Sequence, residues 1–281
     1  MDDAQNVNLP TIAMLGAGSM GRAILSGLLA PHVHAAGIRV TNRSEARAAE
    51  LSGTPGVTTY ATEKKPDANR LAVDGAQLVI VAVKPAMVRD LLAEIADSLA
   101  PGTIVVSVAA GVTAATMESL LPDTISVVRA MPNTPAVVGK AVTGISAGPH
   151  TEEDDLALVR TLFETVGEVV EVPEAQLDAL STISGSGPAY VFFLIEALTQ
   201  AAIEKGFTPE QAATLVNGTF LGASELLVSS GEPPAELRRR VTSPNGTTER
   251  AIAVLAEADL PTLFTQATDA ALSRARELAA G

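Results

Sequence analysis

Gly16-Ala17-Gly18-Ser19-Met20-Gly21 is the first stretch of this sequence whose residue types and spacing point to chemistry. Glycine at the three fixed places allows a tight turn, a close backbone approach to a pyrophosphate, and close helix–strand packing. The amides that open the following helix would then face the phosphates with the positive end of the helix dipole. The turn directly follows Thr11–Leu15, a short β-branched and apolar run, and leads into Met20–Ala30, which has helical spacing. That context makes all six residues candidate dinucleotide contacts. The competing reading is a glycine-rich turn of another kind of α/β protein.

A second run of apolar residues, Ile38–Thr41, ends in Asn42-Arg43-Ser44. An enzyme using NAD places a carboxylate at this strand tip to hold the ribose hydroxyls. Here the first acid, Glu45, comes late. Arg43 suits a 2′-phosphate, and Asn42 and Ser44 can donate to it. NADPH is therefore the expected cofactor and NADH the weaker alternative; in the bland reading Arg43 is only solvated. Ala82-Val83-Lys84-Pro85 closes a later run, where strand ends face the ligand crevice. Lys84 is expected to meet the cofactor through its backbone more than its ammonium. Ala109-Ala110-Gly111 closes the next run, and its small side chains would let a nicotinamide ring lie flat at Ala110.

Two more turns precede helical patterns: Ser184-Gly185-Ser186-Gly187-Pro188 and Ser243-Pro244-Asn245-Gly246-Thr247-Thr248. Each offers unpaired amides at a helix start and so a place for a carboxylate. For either one alone, simple helix capping is the competing reading.

The elements that must position these residues change character along the chain. Leu78–Val83, Thr103–Val108 and Ile125–Val128 are continuous apolar runs, as expected of strands buried on both faces, with a helical stretch, Ala86–Leu99, between the first two. Strands alternating with helices imply a Rossmann-type, doubly wound parallel sheet. From about Pro173 only helical patterns remain: Pro188–Lys205, Thr208–Val228, Ala235–Val241, Thr247–Ala258 and Pro261–Ala279. Thr208-Pro209-Glu210-Gln211 is a capping-box pattern with proline at the first helical position. The expected fold is α/β followed by all-α. Residues 1–172 form an NADP(H)-binding domain and residues 173–281 a helical dimerisation and substrate domain. Tyr190 to Ile195 are apolar and consecutive, so their helix must be buried on all sides. A small helical domain has little room to do that alone. A dimer with interleaved helices is the favoured solution; cover by the Rossmann domain is the alternative.

Composition limits the function classes. A formal charge of −13 over 281 residues argues against a nucleic-acid partner. There is no cysteine, which removes disulfides, thiolate nucleophiles and cysteine-based metal sites. The three histidines, His32, His34 and His150, form no metal-binding pattern. Met1–Pro10 is polar and acidic, unlike a signal peptide. The apolar stretch Ala189–Ile203 contains Glu196 and is too short to cross a bilayer. A cytoplasmic protein without a membrane, acting on a small molecule, is expected.

Five segments together resemble the pyrroline-5-carboxylate reductases: Gly16 to Gly21, Ala82 to Pro85, Met131-Pro132-Asn133, Ser184 to Tyr190, and Val241 to Thr248. They stand in the family's order across nearly the whole chain, and the last is the family's most specific motif. Asn245 occupies a place where glycine is usual, and asparagine tolerates the same left-handed backbone. Arg240 replaces an amide residue found in some members, so no cofactor contact is carried over there. The resemblance implies that Ser243 to Thr248 hold the substrate carboxylate. Gly246 and Thr247 would donate backbone amides, and the Thr248 hydroxyl would contact the ring nitrogen as the catalytic group. It also implies that Glu174 lies near the substrate, that Asn69 touches the cofactor, and that the helical domains intertwine in a homodimer, or a decamer of dimers.

The implied reaction, reduction of 1-pyrroline-5-carboxylate to L-proline in proline biosynthesis, agrees with what the motifs lack. Carbonyl reduction needs a strong general acid, and no histidine lies in a motif. A cyclic imine that arrives protonated is already an electrophile, so orientation does most of the work. A β-hydroxyacid dehydrogenase would carry a lysine followed four residues later by asparagine, but Lys205 is followed by Pro209. A related imine reductase, or a non-catalytic NADP(H) sensor that has lost the substrate loop, completes the set of alternatives.

Overall fold

Leu78, Val79, Ile80 and Val81 are buried at every position, because helices cover both faces of the strand they form. The structure is a computed structural model and describes residues 6–280; Met1–Gln5, the start of the polar N-terminal segment, and Gly281 lie outside the described residues. Eight strands make one sheet: β1 (Val7–Leu15), β2 (Val33–Asn42), β3 (Val57–Ala61), β4 (Leu78–Val81), β5 (Ile104–Ser107), β6 (Ser126–Met131), β7 (Ala141–Ala147) and β8 (Gly167–Glu171). Their spatial order is β3-β2-β1-β4-β5-β6-β7-β8. The first six are mutually parallel in the doubly wound order, with the switch point between β1 and β4.

The helices of this part are α1 (Ser19–Leu28), α2 (Glu45–Ala49), α3 (Ala68–Val73), α4 (Val88–Ile95), α5 (Ala114–Glu118), α6 (Glu153–Glu164) and α7 (Leu177–Leu180). Alternation along the strands feeds two cores. Ile12, Met14, Leu78 and Ile80 pack with Ile24 and Leu28 of α1 and Leu162 and Phe163 of α6. Ala13, Leu15, Val79 and Val81 pack with Val88, Leu92 and Ile95 of α4 and Met117 of α5.

The sequence reading missed β3, β7 and β8. β3 and β8 are five-residue edge strands with mixed or acidic residues, VTTYA and GEVVE, and β7 is interrupted by Gly144. The sheet is also not wholly parallel. β7 runs antiparallel to β6, while β8 is parallel to β7. Between β6 and β7 lies only a short link built on the 3₁₀ turn Thr134–Val138, too short for a parallel crossover.

The remaining helices are α8 (Gly187–Glu204), α9 (Pro209–Ser230), α10 (Pro234–Arg240), α11 (Thr247–Ala256) and α12 (Leu260–Ala280). The chain divides into two compact units after Ser186, and the end of α12 from Leu272 groups with the first. This division by contacts falls after Ser186, whereas the texture of the sequence changes at 172/173. Residues 174–185 are tied to the sheet: Leu180 packs against Gly144 so closely that a Cβ there would lie 2.5 Å from its Cδ1. In the helical unit α8 and α9 pack on each other, and Tyr190 meets Phe264 edge to face at 6.3 Å between ring centroids. Thr208 caps α9 in the expected capping box with Gln211. Among the described residues of this unit only Ala212 and Val216 are buried.

The apolar stretch Ala189–Ile203 belongs to a longer helical run. With the turns before it, Glu174–Glu204 spans 31 residues, long and apolar enough by length and composition to cross a membrane. Length alone therefore does not set this run apart from a membrane span.

Candidate active site

β1 ends at Leu15 and the chain turns at Gly16, whose φ is +90°. A Cβ at Gly16 would lie 2.9 Å from the Ala82 carbonyl oxygen and from Val83 Cγ1, so two strand ends meet here without side-chain space. The Gly16 N–H donates to the Thr41 carbonyl at 3.0 Å, which joins the tip of β2 to the same point. At Gly21 a Cβ would lie 2.7 Å from the Gly16 carbonyl oxygen, so this residue lets α1 pack against the turn. At Gly18 a Cβ would meet nothing within 4 Å. The open side of the turn is thus Gly18, which also stands at the N-cap of α1 without a side-chain cap.

A cleft of about 630 Å³ opens at these strand ends. Gly16, Ala17 and Gly18 form one wall, Asn42, Arg43 and Ser44 a second, and Ala82, Val83 and Lys84 a third. Asn69 lines it as well; its amide nitrogen is held by the Glu94 carboxylate at 3.1 and 3.3 Å. Ser19, Met20, Gly21 and Pro85 shape the walls but do not line the cleft. Ser19 to Gly21 form the first turn of α1, and Pro85 opens the 3₁₀ turn Pro85–Met87. Ala110 is exposed beyond the end of β5 and likewise lies outside the cleft's lining.

Among the described residues the Arg43 side chain has one hydrogen-bond contact, a weak one from Nη2 to Met87 Sδ at 3.8 Å. Arg47, four residues on in α2, lines the same cleft. Neither guanidinium has a carboxylate partner among the described residues, although Arg22, Arg129, Arg160, Arg239, Arg240 and Arg274 all do. Asn42 is 4% exposed, and its Nδ2 is buried without a hydrogen-bond partner among the described residues. Open space at Gly18, a backbone turn at a helix start, and two unpaired guanidiniums at the β2 tip fit a dinucleotide that carries an extra phosphate. Sequence reading missed Arg47, Asp90 and Glu94 of this cleft. The spacing of Arg43 and Arg47 was a usable signal, whereas Asp90 and Glu94 reach the cleft only through the packing of α4.

Ser243 to Thr248 form a tight turn at the start of α11. Asn245 has φ +60°, the left-handed conformation that asparagine tolerates in place of glycine. Its N–H donates to Glu249 Oε2 at 2.8 Å, and the Gly246 N–H donates to the Ser243 carbonyl at 2.9 Å. Gly246 is the N-cap of α11 and provides no side-chain cap, so the amides of the first turn, Thr247 and Thr248 among them, have no partner within the helix. Thr248 is half-buried and Thr247 is exposed. Arg240, just before the loop, is paired with Glu232 and Glu236. The Arg239 guanidinium, followed by that of Arg240, holds the Glu236 carboxyl at about 2.

Two further motif residues are engaged within the sheet unit. Asn133, 7% exposed, donates to the Ser184 carbonyl and accepts from the Val142 N–H, both at 2.9 Å. It thereby links two of the sequence motifs. The Glu174 carboxylate pairs with Arg129 and accepts the Ala114 N–H, a role that its place in the sequence did not announce.

Comparisons with known proteins bear on both units. Residues 174–278 match the family described as pyrroline-5-carboxylate reductase dimerisation, and residues 11–111 match the family described as NADP oxidoreductase, coenzyme F420-dependent. A pyrroline-5-carboxylate reductase of Corynebacterium melassecola is 39% identical, covering 96% of this chain and 99% of that protein. One from Pseudomonas aeruginosa is 38% identical, covering 97% and 98%. The solved structure of a pyrroline-5-carboxylate reductase from Coxiella burnetii has a TM-score of 0.86 at 38% identity, covering 95% of this chain and 97% of that one. The Plasmodium falciparum pyrroline carboxylate reductase with NADP bound has a TM-score of 0.80, covering 96% and 98%; at 23% identity that likeness is one of fold.

Proposed function

The chain belongs to the pyrroline-5-carboxylate reductase family, and from that premise we propose that it reduces 1-pyrroline-5-carboxylate to L-proline with NADPH, the closing step of proline biosynthesis. The observation that carries the reading is the turn from Ser243 to Thr248, an uncapped helix start with Asn245 in the left-handed conformation.

NADPH, when bound, supplies the hydride. The residues that would hold it are those of the cleft. The Gly16–Gly21 turn and the first amides of α1 take the pyrophosphate. Asn42, Arg43, Ser44 and Arg47 surround the place for the 2′-phosphate, and Asn69 and the backbone of Ala82 to Lys84 line the remainder. Ala110, at the end of β5, offers a flat surface for the nicotinamide.

The substrate carboxylate is assigned to the backbone amide of Thr247, beside Ser243 and Gly246, at the positive end of the α11 dipole; the Gly246 amide, expected as a second donor, is turned inward to the Ser243 carbonyl and shapes the turn instead. The Thr248 hydroxyl accepts from the protonated imine nitrogen and fixes the face of the ring that is attacked. The product nitrogen is a neutral amine, so no side chain has to deliver a proton to an alkoxide, in keeping with the absence of histidine from the motifs.

The exposed apolar faces of α8 and α9 are assigned to a second copy of the chain rather than to lipid. The dimerisation family matched by residues 174–278 supports self-association. A homodimer that further assembles as a decamer, cytoplasmic and acting on a small molecule without nucleic acid or membrane, completes the reading. Steady-state assay with 1-pyrroline-5-carboxylate and either reduced nicotinamide cofactor tests it. Turnover with a clear NADPH preference is expected; no turnover with the imine overturns the assignment.

A further inference from the structure

Glu174 lies between β8 and α7, and its surroundings give it work within the sheet unit. Its Oε1 accepts two hydrogen bonds, from the N–H of Ala114 at 2.7 Å and from Arg129 Nη1 at 3.0 Å. Arg129 projects from β6 with its side chain only 6% exposed, and Asp178 Oδ1 lies 3.9 Å from its other terminal nitrogen. A guanidinium buried this deeply requires a partner, and losing that partner is costly.

The neighbours of this pair converge on one loop. Arg129 stands opposite Ser107, the last residue of β5, in the parallel register. Ser107 Oγ accepts the N–H of Ala109 and so fixes the start of the segment that follows β5. Ala114 is the first residue of α5 and closes that segment; Thr113 beside it caps the helix by accepting the Thr116 N–H. Residues 108–113 are therefore tied at one end by Ser107 and at the other by the Glu174 carboxylate, with Arg129 between them.

We infer that Glu174 is a positioning residue rather than a substrate ligand: with Arg129 it fixes the loop 108–113. The inference rests on the functional reading in one respect, that Ala110 in this loop carries the nicotinamide ring. Displacement of the ring by a fraction of an ångström would lower the rate of hydride transfer while leaving both affinities in place, because reactions that depend on alignment are sensitive to about 1 Å.

Two measurements on the full-length protein test this. The first is hydrogen exchange of the amides in 108–114, which reads the clamp without reference to activity. Exchange there is expected to accelerate in Glu174→Ala and to stay near wild type in Glu174→Gln, which keeps the accepting oxygen. The second is the division between kcat and KM. Glu174→Ala is expected to lower kcat about ten-fold or more, with KM for the imine and Kd for NADPH little changed and a larger primary isotope effect from deuterated NADPH. Glu174→Gln should recover most of kcat. If Glu174→Ala fails to fold, the apolar pair Arg129→Met with Glu174→Leu takes its place, with faster exchange and the same kcat loss expected.

A raised KM for the imine with kcat and isotope effect unchanged would identify a substrate ligand and overturn the inference, as would unaltered exchange in 108–114. Accelerated exchange with full turnover also overturns the positioning role. Should the wild type not reduce the imine at all, the functional reading fails instead, and the exchange experiment still decides whether Glu174 holds the loop.

Discussion

The two compact units bury apolar side chains in different ways. Around the sheet the chain covers itself: α1 and α6 close one face and α4 and α5 the other, and Leu78 to Val81 are buried throughout. In the helical unit Val191, Phe192, Phe193 and Leu194 follow one another on α8, and Phe192 and Phe193 remain 65% and 70% exposed. Helices that are apolar on every side cannot be satisfied by one layer of neighbours. The sheet unit is a finished fold, and the helical unit needs a second surface. The contrast extends to the sites. The cleft is set in the ends of parallel strands, whereas the Ser243–Thr248 loop, proposed to hold the substrate, belongs to the unit that leaves its apolar faces open.

The contrast breaks most completely at α8. Phe192→Asp combined with Phe193→Asp should abolish assembly, since obligate interfaces of this kind bury roughly 2,000 Å² or more and do not tolerate unpaired charge at their centre. Sedimentation is expected to give monomer or unfolded protein without activity. An active oligomer of normal mass would show that these faces are not the interface.

The cleft should respond locally and without loss of assembly. Arg43→Ala and Arg47→Ala are each expected to raise KM for NADPH by roughly ten-fold, the worth of a hydrogen bond to a charged group. KM for NADH should hardly change. Titration with 2′,5′-ADP against ADP reads the same contacts without turnover. Equal losses for both cofactors would remove the phosphate assignment.

The smallest effect is expected on α10. The Glu236 carboxyl is held at about 2, below its usual 4.5, by hydrogen bonds from Arg239 and then Arg240. A lowered folded-state value means that its contribution is present above about 4.5 and is lost as pH falls toward 2. The pair lies at the surface, with the Glu236 side chain 30% and the Arg239 side chain 72% exposed, so solvent screens it. Glu236→Gln should leave the melting temperature at pH 7 nearly unchanged, and what small difference there is should vanish at pH 2. A large drop at neutral pH would mean that the α10 cluster is structural.

Much of this was legible in the sequence where backbone geometry forces residue choice. Gly16, Gly18 and Gly21 announced the turn because a Cβ at the first or third would strike backbone oxygen, and the left-handed Asn245 stood where the motif usually has glycine. The central strands β4 and β5 announced themselves as unbroken apolar runs. Short edge strands did not: Gly167–Glu171 carries two glutamates, and half of such a strand faces solvent. Arg129 could not be recognised as buried, since only the fold brings Glu174 and Asp178 to it from 45 or more residues away. The contacts that bind 174–185 to the sheet were not legible for the same reason, because they too are long-range.

The central claim is that the helix-start loop on the helical unit holds the substrate, and Thr248→Ala tests it most directly. This change removes one hydroxyl and leaves the backbone amides and the α11 dipole in place. Measured with 1-pyrroline-5-carboxylate and NADPH, kcat should fall about 10²-fold or more, with Kd for NADPH and the melting temperature unchanged and Thr247→Ala far milder. Full activity in both variants, or a loss in Thr248→Ala that follows unfolding alone, would make the loop a helix cap and contradict the account.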